Sequence, residues 1–480
     1  MSIPGFDTPR AAERRRVFDK LERRLVRLAL AAPEDREMRV RVDKLRYAIS
    51  FARLTVVRNA DGSEVDLSGV QALHANRIRD LLSPHLIDKE DLREALRQTD
   101  EAVHHTLAAR RSVLEHMPLS RDALEAEVSE KLLLVASAGG GGVGYVYPGA
   151  FDTLDRAGLE PSLMVGTSIG ALMSMFRAKR RRFDLAALVA AARTLSWSKV
   201  FRVLESESRY GLPATLRLYL RSALGHLFEE DGRPLRLSDM EIPLYTVTTG
   251  ITVDALKHDL NFYESFLSAD VQASRSSRAQ AGLRAMSILR EFLSSPDALK
   301  EIVLGRTPGT EDFDTIDAAG FSAAIPAVIH YDVLRDDPRM TALLDALYAT
   351  YGITRLGEGG MVSNLGTRIA WESAAAGLIR GRRNCFVLGL DGFAPSPMTR
   401  LAWFPFQQLV RQSNVNRDRQ FADLYVPFPR TLSPLNLVPP VQDAMQAIRW
   451  GREEMEPHVP LLKRMMSPVP TLVDPTRPAE

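Results

Sequence analysis

Apolar residues in the first part of the chain recur at helical spacing. Val17, Leu21, Leu25 and Leu28 form one apolar stripe within a strongly basic segment, residues 10–28. Similar patterns over 35–53, 69–83 and 89–116 predict further helices. Residues 53–67 alternate between apolar and polar and contain an Asp-Gly pair, which predicts a small hairpin. Residues 1–130 are therefore expected to form a helical, charged N-terminal domain.

The pattern changes at Lys131. Short apolar runs at 131–138, 161–165, 243–250 and 384–390 predict strands, and segments with helical spacing lie between them. Such alternation is typical of an α/β fold. We expect a three-layer α/β/α sandwich with a mostly parallel central sheet over residues 131–400. Residues 401–480 are expected to form a C-terminal extension with a proline-rich tail.

A G-x-S-x-G motif, Gly166-Thr167-Ser168-Ile169-Gly170, lies between a predicted strand and a predicted helix. A nucleophile on such a sharp turn needs small neighbours, which Gly166 and Gly170 supply. The positive end of the following helix would favour negative charge near Ser168. The motif alone does not exclude an ordinary strand-to-helix turn, but its context favours Ser168 as a nucleophile.

A glycine cluster follows the first predicted strand: Gly139, Gly140, Gly141, Gly142 and, after Val143, Gly144. Backbone N–H groups in such a loop can hold an anion. The cluster also fits the dinucleotide pattern G-x-G-x-x-G, which requires an acidic residue at the end of the next strand. That strand runs directly into the Ser168 turn, so nucleotide binding is the weaker interpretation.

A third motif places one carboxylate among glycines, in residues 357–364. Glu358 precedes Gly359 and Gly360, and Asn364 follows shortly afterwards. Such a segment is usually only a turn. Beside a strained serine, however, its carboxylate could act as a general base.

These three motifs, in this order, resemble those of the patatin-like phospholipases from about Lys131 to Leu390. That family has a G-G-G-x-R/K-G loop, a G-x-S-x-G turn and a D-G-G/A motif. The resemblance implies a Ser168–Glu358 dyad, an oxyanion site at Gly139–Gly144, and supporting roles for Gly359, Gly360 and Asn364. Residues 319–326 resemble the family's alanine–serine–proline segment. The implied activity is lipid ester hydrolysis of the phospholipase A type, without a cofactor.

Two departures from the family pattern bear on activity. Val143 stands where the family has arginine or lysine, and Glu358 stands where it has aspartate. One alternative is therefore a weak or inactive binding protein on a patatin fold. A lesser alternative is an esterase with a Ser168–Asp391–His458 triad, because these residues have the chain order of α/β-hydrolases.

Charge and composition limit the partners. The net charge is only +2, so nucleic-acid binding is not expected. Cys385 is the only cysteine, no metal-binding motif is evident, and no signal peptide or spanning segment is expected. We expect a cytoplasmic protein in peripheral contact with anionic membranes, with no prediction of oligomeric state. We expect this contact to involve a basic group near the mouth of the active site, namely Arg177, Lys179, Arg180, Arg181 and Arg182.

Overall fold

The computed structural model describes residues 9–33, 35–203, 209–212, 214–252, 296–333, 335–394 and 414–473. The chain divides into two compact units. The first comprises Met1–Leu134, Trp371–Val387 and Pro457–Glu480, and the second comprises Val135–Ala370 and Leu388–Glu456. The boundaries expected at 130 and 400 differ from this division, because two later segments of the chain belong with the N-terminal helices.

The N-terminal part of the first unit is helical, as the apolar spacing predicted. Leu21 and Leu25 pack with Leu45 and Ile49 in its core. The predicted hairpin is also confirmed, as an antiparallel pair of short strands. The elements are α1 (Pro9–Ala31), α2 (Arg36–Ala52), β1 (Val56–Arg58), β2 (Glu64–Asp66), α3 (Ser68–Ser83), α4 (Leu92–Arg97), α5 (Thr99–His116) and α6 (Arg121–Ser129).

A buried charge cluster lies within this unit. The carboxylate of Glu22 on α1 contacts Arg46 at 3.2 Å, Arg53 at 3.2 Å and Lys131 at 2.9 Å. Burial opposes ionisation of Glu22, but the three cations outweigh it and lower its pKa to about 2. The carboxylate is therefore charged at neutral pH and links α1 to α2 through ion pairs.

Strands and helices alternate from Leu132 onward. The strands are β3 (Leu132–Ser137), β4 (Leu163–Thr167), β5 (Phe201–Val203), β6 (Ala214–Leu218), β7 (Glu229–Glu230), β8 (Arg233–Pro234), β9 (Leu244–Ile251), β10 (Leu299–Leu304), β11 (Ala327–His330), β12 (Arg355–Glu358), β13 (Cys385–Asp391) and β14 (Leu424–Pro427). The helices are α7 (Tyr147–Arg156), α8 (Ile169–Ala178), α9 (Leu185–Thr194), α10 (Trp197–Val200), α11 (Leu220–Leu224), α12 (Thr315–Ser322), α13 (Pro338–Tyr351), α14 (Thr367–Ala375), α15 (Asn416–Arg419), α16 (Val441–Met455) and α17 (Val459–Met466).

The central sheet has seven strands. Its order is β10-β9-β4-β3-β13-β14, and β12 pairs with β9 as well. β4 is parallel to β9 and β13 is parallel to β14, whereas β10 and β12 are antiparallel to β9. Every residue of β3, β4 and β13 is buried, as expected for strands covered by helices on both faces. The predicted α/β class with a mostly parallel sheet is confirmed.

Two strands converge on one edge of β9, while β10 occupies its other edge. β4 runs parallel to β9 and ends with Thr167 opposite Val247. β12 runs antiparallel to β9 and ends with Glu358 opposite Thr248. Because successive strand residues lie about 3.4 Å apart, the carboxyl ends of β4 and β12 meet at neighbouring positions. Ser168, the residue after β4, is thereby placed next to Glu358.

Candidate active site

Ser168 lies in the turn between β4 and α8 with a φ of +56°. Non-glycine residues rarely adopt such an angle, and they retain it where the surrounding structure enforces it. Both flanking glycines are required by close contacts. A Cβ atom on Gly166 would lie 2.4 Å from the Cα of Ala171, and one on Gly170 would lie 2.1 Å from the carbonyl oxygen of Ser137. The turn has the geometry expected of a nucleophile elbow.

Ser322 holds this turn in place. The N–H of Ser168 donates a hydrogen bond to Ser322 Oγ at 2.8 Å, and the Ser322 hydroxyl donates to the carbonyl of Val247 at 2.6 Å. Ser322 therefore ties the strained residue to β9. The sequence singled out residues 319–326 but gave Ser322 no role, because its two partners are distant in the chain.

Glu358 is half-buried at the end of β12, and its Oε2 atom is buried. Its N–H donates to the carbonyl of Ala324 at 2.9 Å, and its Oε1 accepts a hydrogen bond from the N–H of Gly360 at 3.2 Å. Among the described residues, Oε2 has no hydrogen-bond partner. Burial raises the pKa of Glu358 to about 8, although the N–H of Gly360 and the nearby hydroxyl of Ser168 lower it in part. The carboxyl group is therefore mostly protonated at pH 7 and can act as a general base only after it loses that proton, which happens as the pH rises toward 8.

Asn414 braces the loop that follows Glu358. Its Nδ2 donates to the carbonyl of Gly360 at 2.9 Å, and its Oδ1 accepts from the N–H of Asn364 at 3.0 Å. A Cβ on Gly139 would lie 2.7 Å from Asn364 Oδ1 and 2.9 Å from the Cβ of Ser168. The structure therefore brings Gly139, Ser168, Gly360 and Asn364 together. Gly359 and Gly360 begin the 3₁₀ turn Gly359–Met361.

Two N–H groups of the glycine loop already donate hydrogen bonds to backbone carbonyls. The N–H of Gly142 donates to the carbonyl of Pro434 at 3.0 Å, and that of Gly139 donates to the carbonyl of Asn364 at 3.3 Å. Gly140 and Gly141 have positive φ angles of 143° and 63°. Since two N–H groups of the loop are already engaged, Gly140 and Gly141 are the better candidates for an oxyanion site. The acceptors of Gly139 and Gly142 both belong to remote segments of the chain.

The last two residues of the glycine loop, Val143 and Gly144, carry no charged side chain. A Cβ on Gly144 would lie 2.5 Å from Cγ1 of Ile169, so the loop packs closely on the first turn of α8. Val143 is buried. The position that carries arginine or lysine in the patatin pattern is therefore filled by an apolar side chain.

An apolar pocket extends from Ser168 along one face of α8. Ile169, Leu172, Met173 and Phe176 form this face. The lining is otherwise apolar except at Ser168, Gly141 and Tyr145. The Tyr145 hydroxyl donates a hydrogen bond to the carbonyl of Leu437 at 2.9 Å. The remaining lining residues are Leu188, Ala191, Ala192, Leu195, Val200, Phe201, Leu218, Leu220, Ala223, Leu224, Ala323, Ile325, Ile329, Leu437 and Val438. Such a surface suits a hydrocarbon chain.

The residues of the alternative triad have other surroundings. Asp391 Oδ1 accepts a hydrogen bond from the N–H of Phe393 at 2.9 Å, and Oδ2 accepts from the hydroxyl of Tyr425 at 2.7 Å. His458 belongs to the first unit, whereas Ser168 and Asp391 belong to the second. Asp391 therefore holds the turn after β13.

The basic group at the carboxyl end of α8 does not surround Ser168. A helix of ten residues spans about 15 Å, so the two lie a helix length apart. Arg177 is fully buried, and its Nη1 donates to the carbonyls of Arg180 and Arg181. This corrects the expectation that Arg177 faces lipid. Lys179 donates to the carbonyl of Leu227 at 2.6 Å.

The three remaining arginines of this group are exposed and paired with acidic residues. The pairs are Arg180 with Glu230 and Glu241, Arg181 with Glu160, and Arg182 with Asp155. Their charge is thus largely balanced within the protein.

Among the residues that the structure describes, no group of three or more His, Cys, Asp or Glu side chains could share a metal ion. Over the same ranges, no helix combines the length and the apolar character needed to cross a membrane.

Comparison with known proteins agrees with this geometry. Residues 135–371 match the family model described as Patatin-like phospholipase. No curated protein matches the chain. The matched range contains the glycine loop, Ser168 and Glu358, and the family indicates lipid acyl hydrolase activity. The chain therefore carries a patatin-like phospholipase domain.

Proposed function

We propose that this protein hydrolyses an acyl ester of a glycerophospholipid, with Ser168 as the nucleophile and Glu358 as the general base. The main support is the position of Ser168. It is a strained serine that lies beside a buried carboxyl group and at one end of an apolar pocket. The pocket would hold the acyl chain, and the ester carbonyl would lie at Ser168.

The reaction needs only residues of this chain and water. Ser168 Oγ bonds to the ester carbonyl carbon while its proton passes to the carboxylate of Glu358. The N–H groups of Gly140 and Gly141 would stabilise the oxyanion. The tetrahedral intermediate then collapses, and the departing alcohol takes the proton from Glu358. A water molecule attacks the acyl-enzyme, Glu358 accepts its proton, and that proton returns to Ser168 as the fatty acid leaves.

A serine-directed fluorophosphonate probe tests this proposal directly. The wild-type protein is expected to form a covalent adduct at Ser168, located by mass spectrometry of the labelled peptide. Ser168→Ala should form none, and Glu358→Gln should react more slowly because no base removes the serine proton. A folded wild-type protein that does not react over a range of pH would refute the proposal.

A second candidate is a lipid-binding protein without catalytic activity. The pKa of Glu358, about 8, favours it, because most of the carboxyl group is protonated at pH 7. The engagement of Gly142 by Pro434 favours it as well, because one donor of the glycine loop is occupied. Such a protein would bind a fluorescent fatty acid in the pocket but would not react with the probe at any pH.

A further inference from the structure

Helix α9 covers one side of the pocket and is apolar around most of its circumference. Its sequence is LAALVAAART. Leu188, Ala191 and Ala192 line the pocket, while Ala186 and Ala190 are exposed on the opposite face. A helix at the surface of a soluble domain usually presents charged residues to water. On this face the helix presents Ala186 and Ala190 with a single basic residue, Arg193, directly over the proposed acyl site.

Large exposed apolar side chains border the same pocket. Among the described residues of the second unit, the large exposed hydrophobic residues are Trp197, Val328 and Leu435. Trp197 is 48% exposed, and its ring lies 4.7 Å from that of the pocket residue Phe201. Leu435 is 62% exposed and lies two residues before the pocket residue Leu437. We call Ala186, Ala190, Trp197 and Leu435 the pocket rim.

The segment that carries most of the pocket rim is basic. Residues 185–203 contain Arg193, Lys199 and Arg202 and no acidic residue. All three basic residues are exposed. A tryptophan and basic side chains beside an apolar helix are the composition that binds an anionic lipid interface.

We propose that the pocket rim is the surface by which this protein docks on a bilayer containing anionic phospholipid. This inference rests on the proposed function, because the pocket beneath the rim would receive the acyl chain of a lipid. Trp197 and Leu435 would enter the headgroup region, and the neighbouring cations would face anionic headgroups. The lipid would then reach Ser168 through the surface that contacts the membrane.

The basic residues at the end of α8 fit this role less well. Arg180, Arg181 and Arg182 are already paired with acidic side chains, and no large exposed hydrophobic residue accompanies them in 177–182. Peripheral binding usually combines buried apolar area with electrostatic attraction. The pocket rim supplies the apolar area, and the neighbouring Arg193, Lys199 and Arg202 supply the charge.

Co-sedimentation with vesicles tests the inference. All proteins would carry Ser168→Ala, so that the lipid stays intact. The vesicles would be phosphatidylcholine with a minority of phosphatidylglycerol. Trp197→Ala with Leu435→Ser should weaken binding by about tenfold or more, because two apolar anchors are lost. Arg193→Gln with Lys199→Gln should weaken vesicle binding at low salt. It should also reduce the further loss of binding that added salt causes.

Two matched controls define the site. Leu73→Ser removes an apolar residue that is 84% exposed in the first unit, and it should not change binding. Arg180→Gln with Arg181→Gln and Arg182→Gln should also bind vesicles like the parent protein. If this triple variant loses binding while the Trp197 and Leu435 variant keeps it, the docking surface is the basic group and the inference is overturned.

Hydrolysis separates failure of this inference from failure of the proposed function. With Ser168 present, the Trp197 and Leu435 variant should hydrolyse a soluble short-chain ester like wild type but lose activity on vesicles. Unchanged activity on vesicles, with unchanged binding, would overturn the docking surface and leave the hydrolase proposal standing. A wild-type protein that binds vesicles through the pocket rim but hydrolyses no ester would refute the hydrolase proposal and leave the docking surface standing.

Discussion

The two ends of helix α8 differ in how their polar groups are satisfied. At the amino end, Ser168 has a strained backbone and lies beside Glu358, whose Oε2 has no hydrogen-bond partner among the described residues. At the carboxyl end, a fully buried Arg177 binds the carbonyls of Arg180 and Arg181, and the exposed arginines pair with acidic side chains. Backbone strain beside an unpaired carboxylate oxygen marks the end suited to chemistry. At the other end, Nη1 of Arg177 is bound to the backbone, although its Nε and Nη2 have no hydrogen-bond partner among the described residues. The backbone there is not strained, and the exposed arginines are balanced by acidic side chains, so this end serves structure.

The largest effect on ester hydrolysis is expected from a substitution at the amino end of α8. Ser168→Ala removes the atom that would attack the ester, and losses at such nucleophiles reach about 10⁶-fold. Hydrolysis of a short-chain nitrophenyl ester by purified protein measures it, and circular dichroism checks the fold. Activity of the variant near that of wild type would show that the strained serine is not the nucleophile.

Shortening the base should have a smaller effect. Glu358→Asp withdraws the carboxylate by one methylene from Ser168, while the hydrogen bond from Gly360 and the β12 backbone still fix its position. A displacement of about 1 Å can reduce kcat by about 10²-fold. An increase in kcat would instead indicate that the loop still suits the shorter aspartate of the family.

Activity should depend on pH through Glu358. Its pKa of about 8 means that the carboxyl group must lose a proton before it can accept one, so kcat should rise up to about tenfold per unit between pH 6 and 8. Folding stability should change in the opposite direction. The folded state retains a proton that the unfolded state loses above its ordinary pKa of 4.5, so the protein loses stability as pH rises from about 4.5 to 8.

Glu358→Gln provides the control for both effects. The variant should lose nearly all activity, and what remains should not rise with pH. Its Tm should increase relative to that of wild type as the pH increases. A Tm difference that does not change with pH would mean that Glu358 titrates normally.

Phe176 lies between the two ends of α8 and should set acyl-chain preference. It is about 12 Å from Ser168 along the helix. Its ring packs edge to face against that of Phe228, with centroids 5.1 Å apart, at the far part of the pocket. Phe176→Ala should shift the ratio of kcat/KM toward longer acyl chains by about tenfold. Hydrolysis of an acetyl ester, which does not reach Phe176, should be unchanged.

The smallest effect is expected at the carboxyl end. Arg180→Gln, Arg181→Gln and Arg182→Gln break exposed ion pairs, each of which contributes less than about 1 kcal/mol to folding. Thermal unfolding and soluble-ester hydrolysis should both remain near wild type. A large loss of activity on the soluble ester would show that this end of α8 is not independent of the active site.

Local motifs indicated the two main candidate residues of the proposed site. Ser168 stands between an apolar strand and a helical segment, and Glu358 stands among glycines, so both could be recognised from a few neighbouring positions. Their proximity depends on β12 running antiparallel to β9 and ending where β4 ends. No short-range pattern in the residues of β12 specifies that pairing.

The roles that sequence analysis missed belong to residues with distant partners. Ser322 contacts Ser168, Asn414 contacts the Gly360–Asn364 loop, and Pro434 contacts Gly142. Each contact joins segments far apart in the chain, and serine, asparagine and proline are common residues. Arg177 was misjudged for a related reason, because a run of basic residues does not reveal which of them points inward.

The division of the first unit into three chain segments has a consequence for synthesis on the ribosome. Arg46 donates hydrogen bonds to the carbonyls of Met465 and Ser467, and the N–H of Val469 donates to the carbonyl of Ser129. The N-terminal helices are made before the second unit, and these partners are made after it. The first unit therefore stays incompletely folded while the second unit is synthesised. Truncation before Pro457 would leave it permanently in that state, exposed to proteases and chaperones.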